Sequence, residues 1–330
     1  MSYIKRVPVS PNINRNDYNN NNLHEYDPYI LTEDQQGVII DQVWYSSLTP
    51  YVRALLEERL KDRYTLGTVE VPHLAGKDSV DKLLTTIYQS YIDGFDYNIW
   101  YHPELPCGPC DVKMFPISDE VKKCLLYNLD LDGELTDFTN KIQEYMDTTT
   151  TKDTTKYFVR LSSTSGKNER TVPPLGNAKD IVKHMIGNSL FNNQEYIRSK
   201  PSWLVLIPWN EKIDPRYEFR IFVVNNRLVA ASPQKWWELI QHTGEELELF
   251  EEVFAKIEFI NHINNPYHTF IADVYVDVEN RVVKLIELNP FGAHCGAGSS
   301  LFNWIKDYDL LHGSSLTGEA ELRYLSAINY

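Results

Sequence analysis

The sequence predicts an α+β (mixed α/β) fold of antiparallel sheets with flanking helices. Two hairpin patterns in the C-terminal half carry that prediction, together with amphipathic helical stretches around them. The regular strand–helix alternation of a doubly wound parallel sheet is missing. The first hairpin is YEFRIFVVNNRLVAAS, where Asn225 and Asn226 tolerate the positive φ angles of a tight turn. The second is FIADVYVDVENRVVKLIELNPF.

Taken in chain order, residues 1–38 are rich in Asn, Pro and Tyr without apolar periodicity, and are expected to form a mostly disordered or extended arm. Residues 39–150 are expected to form a mostly helical lobe. Within it, 43–64 places Leu55, Leu56 and Leu60 at helical spacing, and 79–94 does the same with Val80, Leu83, Leu84, Ile87 and Tyr91. A polar break at 145–155 leads into a strand, KYFVRLSS, and after a polar loop into a helix, DIVKHMIGNSLF. SWLVLIPW, bounded by Pro201 and Pro208, reads as a buried strand, and EELELFEEVFAKIEFIN as an amphipathic helix. Residues 151–330 are thus expected to form mixed lobes of strands and helices.

Composition narrows the function. The chain has 330 residues and a formal net charge of −14, which argues against a general nucleic-acid binder, because neutralising phosphates takes a Lys/Arg surface. A locally basic cleft for one polyphosphate remains compatible with it. No apolar run reaches the roughly 18 residues of a membrane span, and the first residues lack the apolar core of a secretory signal. Four cysteines in a chain this long are not a disulfide scaffold, so a reducing, cytoplasmic compartment is expected. Cys107-Gly-Pro-Cys110 has thioredoxin-like spacing, but prolines precede it where that motif needs a strand, so it reads as a loop.

The strongest chemical signal is Asp273, Glu287 and Asn289. Side chains alternate along a strand, so Ile271, Asp273, Tyr275 and Asp277 share a face, and so do Val283, Leu285, Glu287 and Asn289. If the hairpin centres on Asn280, Asp273 faces Glu287, which requires an odd-length turn at residues 279–281. Two carboxylates and an amide oxygen suit Mg²⁺. A solvated hairpin face would show the same pattern. Asp277, nearer the turn, reads as a solvated surface acid. Two facing carboxylates repel when no cation is bound, so losing Asp273 is expected to leave the metal-free fold no less stable.

A nucleotide would need cations for its phosphates and an apolar slot for its base. No P-loop is present. Arg160 lies in KYFVRLSS with Phe158 and Ser162 on its face, followed by a Ser/Gly loop and Lys167, an arrangement able to bracket a polyphosphate or simply to be a surface strand and turn. Val205, Leu206 and Ile207 could contact adenine through backbone, or form an ordinary core strand. Glu218, Arg220 and Phe222 share a face, and Arg220 within a sheet calls for an anionic partner, either a phosphate or a nearby acid.

The segments SWLVLIPWNEKIDPRYEFRIFVVNNRLVAASPQKWW, IADVYVDVENRVVKLIELNPFG and FVRLSSTSGKNE, in their order, resemble motifs of the cell division cycle protein 123 family. The resemblance implies an ATP-grasp-like fold that binds ATP with Mg²⁺ and assists assembly of eukaryotic translation initiation factor 2 through its gamma subunit. It implies Asp273, Glu287 and Asn289 as metal ligands. Arg160 takes the place of a phosphate-binding lysine, with Ser162 in the adjoining loop and Lys167 as the flap cation. Val205, Leu206 and Ile207, with Trp209 after them, form the adenine edge, and Glu218 and Arg220 match an EFR motif. Glu287 stands where the family usually has Asp, and Arg160 where it often has Lys. No catalytic residue is assigned. Two readings compete with the assembly factor: an ATP-grasp ligase acting through an acyl phosphate, and a degenerate module without nucleotide.

Overall fold

The computed structural model describes residues 4–9, 29–31, 37–40, 69–72, 93–149, 156–163, 174–187, 202–238, 240–263, 268–292, 298–302, 307–312 and 319–326. The helices expected at 43–64 and over nearly all of 79–94 lie outside these residues. The chain divides into two compact units, residues 1–95 with 214–330, and residues 96–213. That division replaces the expected boundary near 150. The first unit is discontinuous in sequence, and its closing contacts join residues some 300 positions apart, which leaves no local signature.

The first unit contains a six-stranded sheet. Its strands are β1 (Ile4–Val9), β8 (Glu218–Val224), β9 (Arg227–Pro233), β10 (Phe270–Asp277), β11 (Val282–Asn289) and β12 (Ala320–Leu325), in the order β1-β12-β9-β8-β10-β11. β1 and β12 pair in parallel, and so do β12 and β9; the remaining pairs are antiparallel. The disordered arm expected over 1–38 is therefore corrected at its start, because residues 4–9 are an edge strand. Pro8, which lacks an N–H, is tolerated there since one side of an edge strand needs no ladder bonds. Strands β2 (Tyr29–Leu31), β3 (Gly37–Ile40) and β4 (Val69–Pro72) form an antiparallel meander, so the expected arm also carries strand at 29–31 and 37–38, and the lobe expected to be mostly helical carries strand at 69–72.

The β8–β9 hairpin turns as the sequence predicts. Val224 pairs with Arg227, and Asn225 and Asn226 take φ 50° and 59°, the left-handed pair of a two-residue turn. Helix α5 (Gly244–Phe254) covers one face of the sheet and starts in a capping box: Thr243 accepts from Glu246 N while Glu246 accepts from Thr243 N. Its Phe250 and Phe254 pack at 4.8 and 5.2 Å on Phe219. Since side chains alternate, Phe219 belongs to the helix-covered face and its neighbour Arg220 to the other.

The second unit is an antiparallel sheet of β5 (Lys113–Ile117), β7 (Ser202–Pro208) and β6 (Tyr157–Leu161), with β7 in the middle. It also holds α1 (Tyr97–Trp100), α2 (Asp119–Tyr127), α3 (Glu134–Thr149) and α4 (Ala178–Gly187); α6 (Tyr308–Leu311) belongs to the first unit. One sheet face, with Phe115, Tyr157, Val159, Leu161, Leu204 and Leu206, is buried in one core with Val121, Ile142 and Ile181 from the helices. The opposite face carries Phe158, Arg160, Val205 and Ile207. Among the described residues, no helix is long and apolar enough to cross a membrane.

Candidate functional site

Asp273 and Glu287 are cross-strand partners, and Asn289 pairs with Ile271 on the same face. The means differ from the odd turn expected. Near the turn Asp277 pairs with Val282 and Val274 with Leu285, so residues 278–281 form an even, four-residue turn. A β-bulge between Asp273 and Val274 then leaves Ile286 as the extra residue on β11. The bulge reverses the alternation: Val283 and Leu285 face the side of Val274, whereas Glu287 and Asn289 face the side of Asp273. The four residues expected to share a face are thus divided two and two.

This face is dry and charged. Asp273 is 2% exposed and Glu287 9%. Arg220, the register partner of Asp273 on β8, donates Nε to Oδ1 and Nη2 to Oδ2, both at 2.8 Å. It also donates Nη1 to Gly298 O at 2.9 Å. Gln234 Nε2 and Asn289 Nδ2 donate to Asp273 Oδ2 at 2.9 and 3.3 Å. Burial pushes the Asp273 carboxyl up, the opposing pull of Arg220 notwithstanding, and the adjacent Glu287 carboxyl adds to the rise. Burial alone would lower the Arg220 guanidinium, but Asp273 and then Glu287 hold it above its ordinary value. The anion that Arg220 meets is therefore an acid of its own sheet. Two buried carboxyls thus face each other beside the Arg220 guanidinium.

That donor set fits a hard divalent cation. It offers opposed carboxylates and an amide that now gives its nitrogen to Asp273 and would turn its oxygen inward to join them as a ligand. Glu218 sits on the same face at the start of β8, opposite Tyr275. Asp277 is not the solvated acid expected. It is 8% exposed, pairs with Lys284 at 2.7 Å and accepts from Asn280 N and Nδ2 at 3.0 and 2.9 Å. Gln234 carries no signal in hydrophobic pattern; the only hint of it is its place at the end of the return strand.

The second unit holds the remaining residues. Arg160 is 8% exposed, donates Nε to Leu161 O at 3.1 Å and lies over the Tyr97 ring, 5.4 Å from its centroid. Ser162 is 1% exposed; its backbone bonds to Tyr97 N and Trp203 O, but its Oγ has no hydrogen-bond partner. A buried cation near an orphaned buried hydroxyl is chemistry that an oxyanion satisfies. Lys167 lies outside the described residues. Val205 and Leu206 are fully buried in the middle strand and pair with β5 on one side and β6 on the other, so ladder bonds occupy their backbone. This corrects the adenine edge expected of them. β5 begins opposite Leu206, and Ile207, Pro208 and the 39%-exposed Trp209 continue past it.

Comparison with known proteins adds a family and a fold. A family model described as D123 matches residues 134–329. A translation initiation factor eIF2 assembly protein of Danio rerio is 36% identical over 115 residues, which cover 34% of this chain and 31% of the relative. The protein of the same description from Candida albicans is 28% identical over 177 residues, 46% of this chain and 49% of the relative. The chain thus spans between a third and a half of the length of these relatives. C-terminally truncated Cdc123 from Schizosaccharomyces pombe shares the fold, with a TM-score of 0.57 at 16% identity over 72% of this chain and 98% of that one. The expected architecture, a mixed α/β fold with antiparallel sheets and flanking helices, is borne out.

Proposed function

The chain belongs to the D123 family, and from that premise we propose that it binds ATP with Mg²⁺ and assists assembly of translation initiation factor 2. The observation that carries the nucleotide reading is the meeting of two buried carboxyls, Asp273 and Glu287, across neighbouring strands with Asn289 on the same face. Two facing carboxyls are costly to ionise together in a buried place, and a divalent cation lowers that cost. Asp273, Glu287 and Asn289 would hold the metal. Arg160 and Ser162 would meet phosphate oxygens, and Ile207 and Trp209 the base. Bound Mg²⁺ would neutralise polyphosphate charge. The chain's own residues fix the carboxylates (Arg220, Gln234) and keep water from them.

The assembly role comes from the relatives, which are described as eIF2 assembly proteins. The gamma subunit of that factor is the proposed partner, and the cytoplasm the proposed place of action. A ligand that binds only the folded state raises stability by RT ln(1 + [L]/Kd). Thermal melts with ATP alone, Mg²⁺ alone and both together test the nucleotide: the combination is expected to give the largest shift, and no shift at millimolar concentrations overturns it. Binding of purified gamma subunit, with and without ATP and Mg²⁺, tests the partner. Normal ATP binding without affinity for the subunit would favour the ligase.

A further inference from the structure

Helix α5 begins with a titratable residue where its geometry calls for an apolar one. Thr243 is the N-cap, so His242 holds the place before it, from which an apolar side chain packs back on the first turns of a helix. His242 does that packing with an imidazole. Its ring stacks on Phe219 of β8 at 5.9 Å, meets Phe250 of α5 edge-on at 5.0 Å and lies 6.4 Å from the Tyr217 ring. The side chain is 1% exposed. Nε2 has no hydrogen-bond partner among the described residues, and Nδ1 stands 3.9 Å from Glu246 Oε2, too far for a hydrogen bond. Glu246 is engaged elsewhere: Oε1 accepts from Tyr217 OH and Oε2 from Thr243 N, both at 2.7 Å. A neutral imidazole leaves a nitrogen unserved in this cage, and an imidazolium would bring two N–H donors and a buried charge.

We propose that His242 is a proton-sensitive staple: protonation in mild acid expels the imidazole from its aromatic cage and releases the first turns of α5 from β8. The inference stands apart from the nucleotide reading. The ring is faced by Glu246 from α5, by Asp214, Arg216 and Tyr217 from the 3₁₀ turn before β8, and by apolar Phe219 from β8 itself. Burial would raise the Glu246 carboxyl, but the bonds from Thr243 N and Tyr217 outweigh it and hold it below its ordinary range. The bond from Arg216 does the same for Asp214, and the bond to Glu246 raises the Tyr217 phenol. Of this group, His242 is therefore the one whose charge changes between about pH 5 and 8. Burial lowers its imidazole below the ordinary 6.5, against the pull of Glu246. The unfolded chain then binds the extra proton first, so stability is lost as pH falls from the unfolded value towards the folded one.

The test combines urea denaturation of the full chain from pH 8 to pH 5 with native-state hydrogen exchange read by mass spectrometry. His242→Phe and His242→Leu keep an apolar staple and cannot titrate. Relative to either variant, the wild-type unfolding constant is expected to rise by up to about tenfold per pH unit below about 6.5. In wild type at low pH, residues 244–250 are expected to lose protection while residues 270–277 of β10 keep theirs. The variants are expected to keep both. The same pH dependence in wild type and in a folded variant would assign the titration to another group and overturn the inference. Joint loss of protection by α5 and β10 overturns it too, because that is global unfolding and not release of the helix. Following the His242 ring by nuclear magnetic resonance in wild type needs no variant: an imidazole that protonates at 6.5 or above with the cage intact is a third result that sinks the idea.

Discussion

The six-stranded sheet and the sheet of β5, β6 and β7 each carry a largely shielded arginine, but they leave different things unfinished. Around Arg220 the guanidinium is bound by Asp273 and by Gly298 O, and two carboxyls, Asp273 and Glu287, face each other. Near Arg160 what is left over is a hydrogen bond, the Ser162 hydroxyl. Facing carboxyls are eased by a cation, and an orphaned hydroxyl near a guanidinium by an anion, so the two sheets differ in the kind of group each is suited to meet. The difference also separates stability from binding. Asp273 and Arg220 of the first cluster bind each other within the fold, whereas the Ser162 hydroxyl adds no hydrogen bond to it.

The largest effect is expected at Asp273. Its loss does not simply relieve repulsion from Glu287, as the sequence alone suggests, because it strips Arg220 of a bidentate partner. Breaking a buried pair by removing one member costs about 3–5 kcal/mol. Asp273→Ala is therefore expected to lower metal-free stability by that much, read from urea denaturation, less whatever Glu287 recovers by turning to Arg220. A variant as stable as wild type would show that the arginine is already balanced elsewhere.

The bulge at Ile286 gives a smaller effect with a sharper reading. Deleting Ile286 joins Leu285 to Glu287 and turns the irregular ladder into a regular one in which Glu287 still faces Asp273. The deletion is expected to cost about 1–2 kcal/mol for the lost half-buried side chain, yet to preserve Mg²⁺-dependent protection by ATP. Loss of that protection with the fold intact would mean that the bulge shapes the site as well as the register.

How far the sequence could be read follows from what is local. The Asn225–Asn226 turn, the β7 run and the α5 helix write their own geometry, through positive φ, an apolar run and period 3.6. Facing of Asp273 and Glu287 was legible because both are acids in apolar strands. The route to it was not, since an even turn with a bulge and an odd turn without one yield the same pairing at the site. The partners of Arg220 and the role of Gln234 were out of reach because they depend on which strands become neighbours. The parallel pairing of residues 4–9 with 320–325 was equally hidden.

Asp277 tests the near-turn half of the same hairpin through pH. Burial pushes its carboxyl up, but the bonds from Lys284 and Asn280 outweigh that and hold it down at about 2. A depressed folded-state pKa means stability that is present above the unfolded value near 3.9 and is lost as pH falls towards 2. Lys284 is partly exposed, and solvent screening reduces the contribution to about 1 kcal/mol. Urea midpoints measured from pH 6 to pH 2 for wild type and Asp277→Asn are expected to converge as the pH falls. A gap that persists at pH 2 would assign the stabilisation to hydrogen-bond geometry rather than charge.

The smallest expected effect on stability belongs to Ser162, and its sign decides whether the two sheets differ as described. A buried hydroxyl without a partner carries a desolvation penalty that alanine does not. Ser162→Ala removes the penalty together with one small atom, and it leaves the backbone bonds to Tyr97 and Trp203 untouched. The apo variant is therefore expected to be as stable as wild type or a few tenths of a kcal/mol more stable, a change at the edge of detection in a thermal melt. Its protection by ATP with Mg²⁺ is expected to fall, because a phosphate oxygen would no longer find the donor that waits for it. The two readouts must move in opposite directions for the contrast with Asp273 to hold. A destabilised apo variant with unchanged ATP protection would show that the hydroxyl serves the fold, and Arg160 would then stand without its neighbour as the phosphate contact in that sheet.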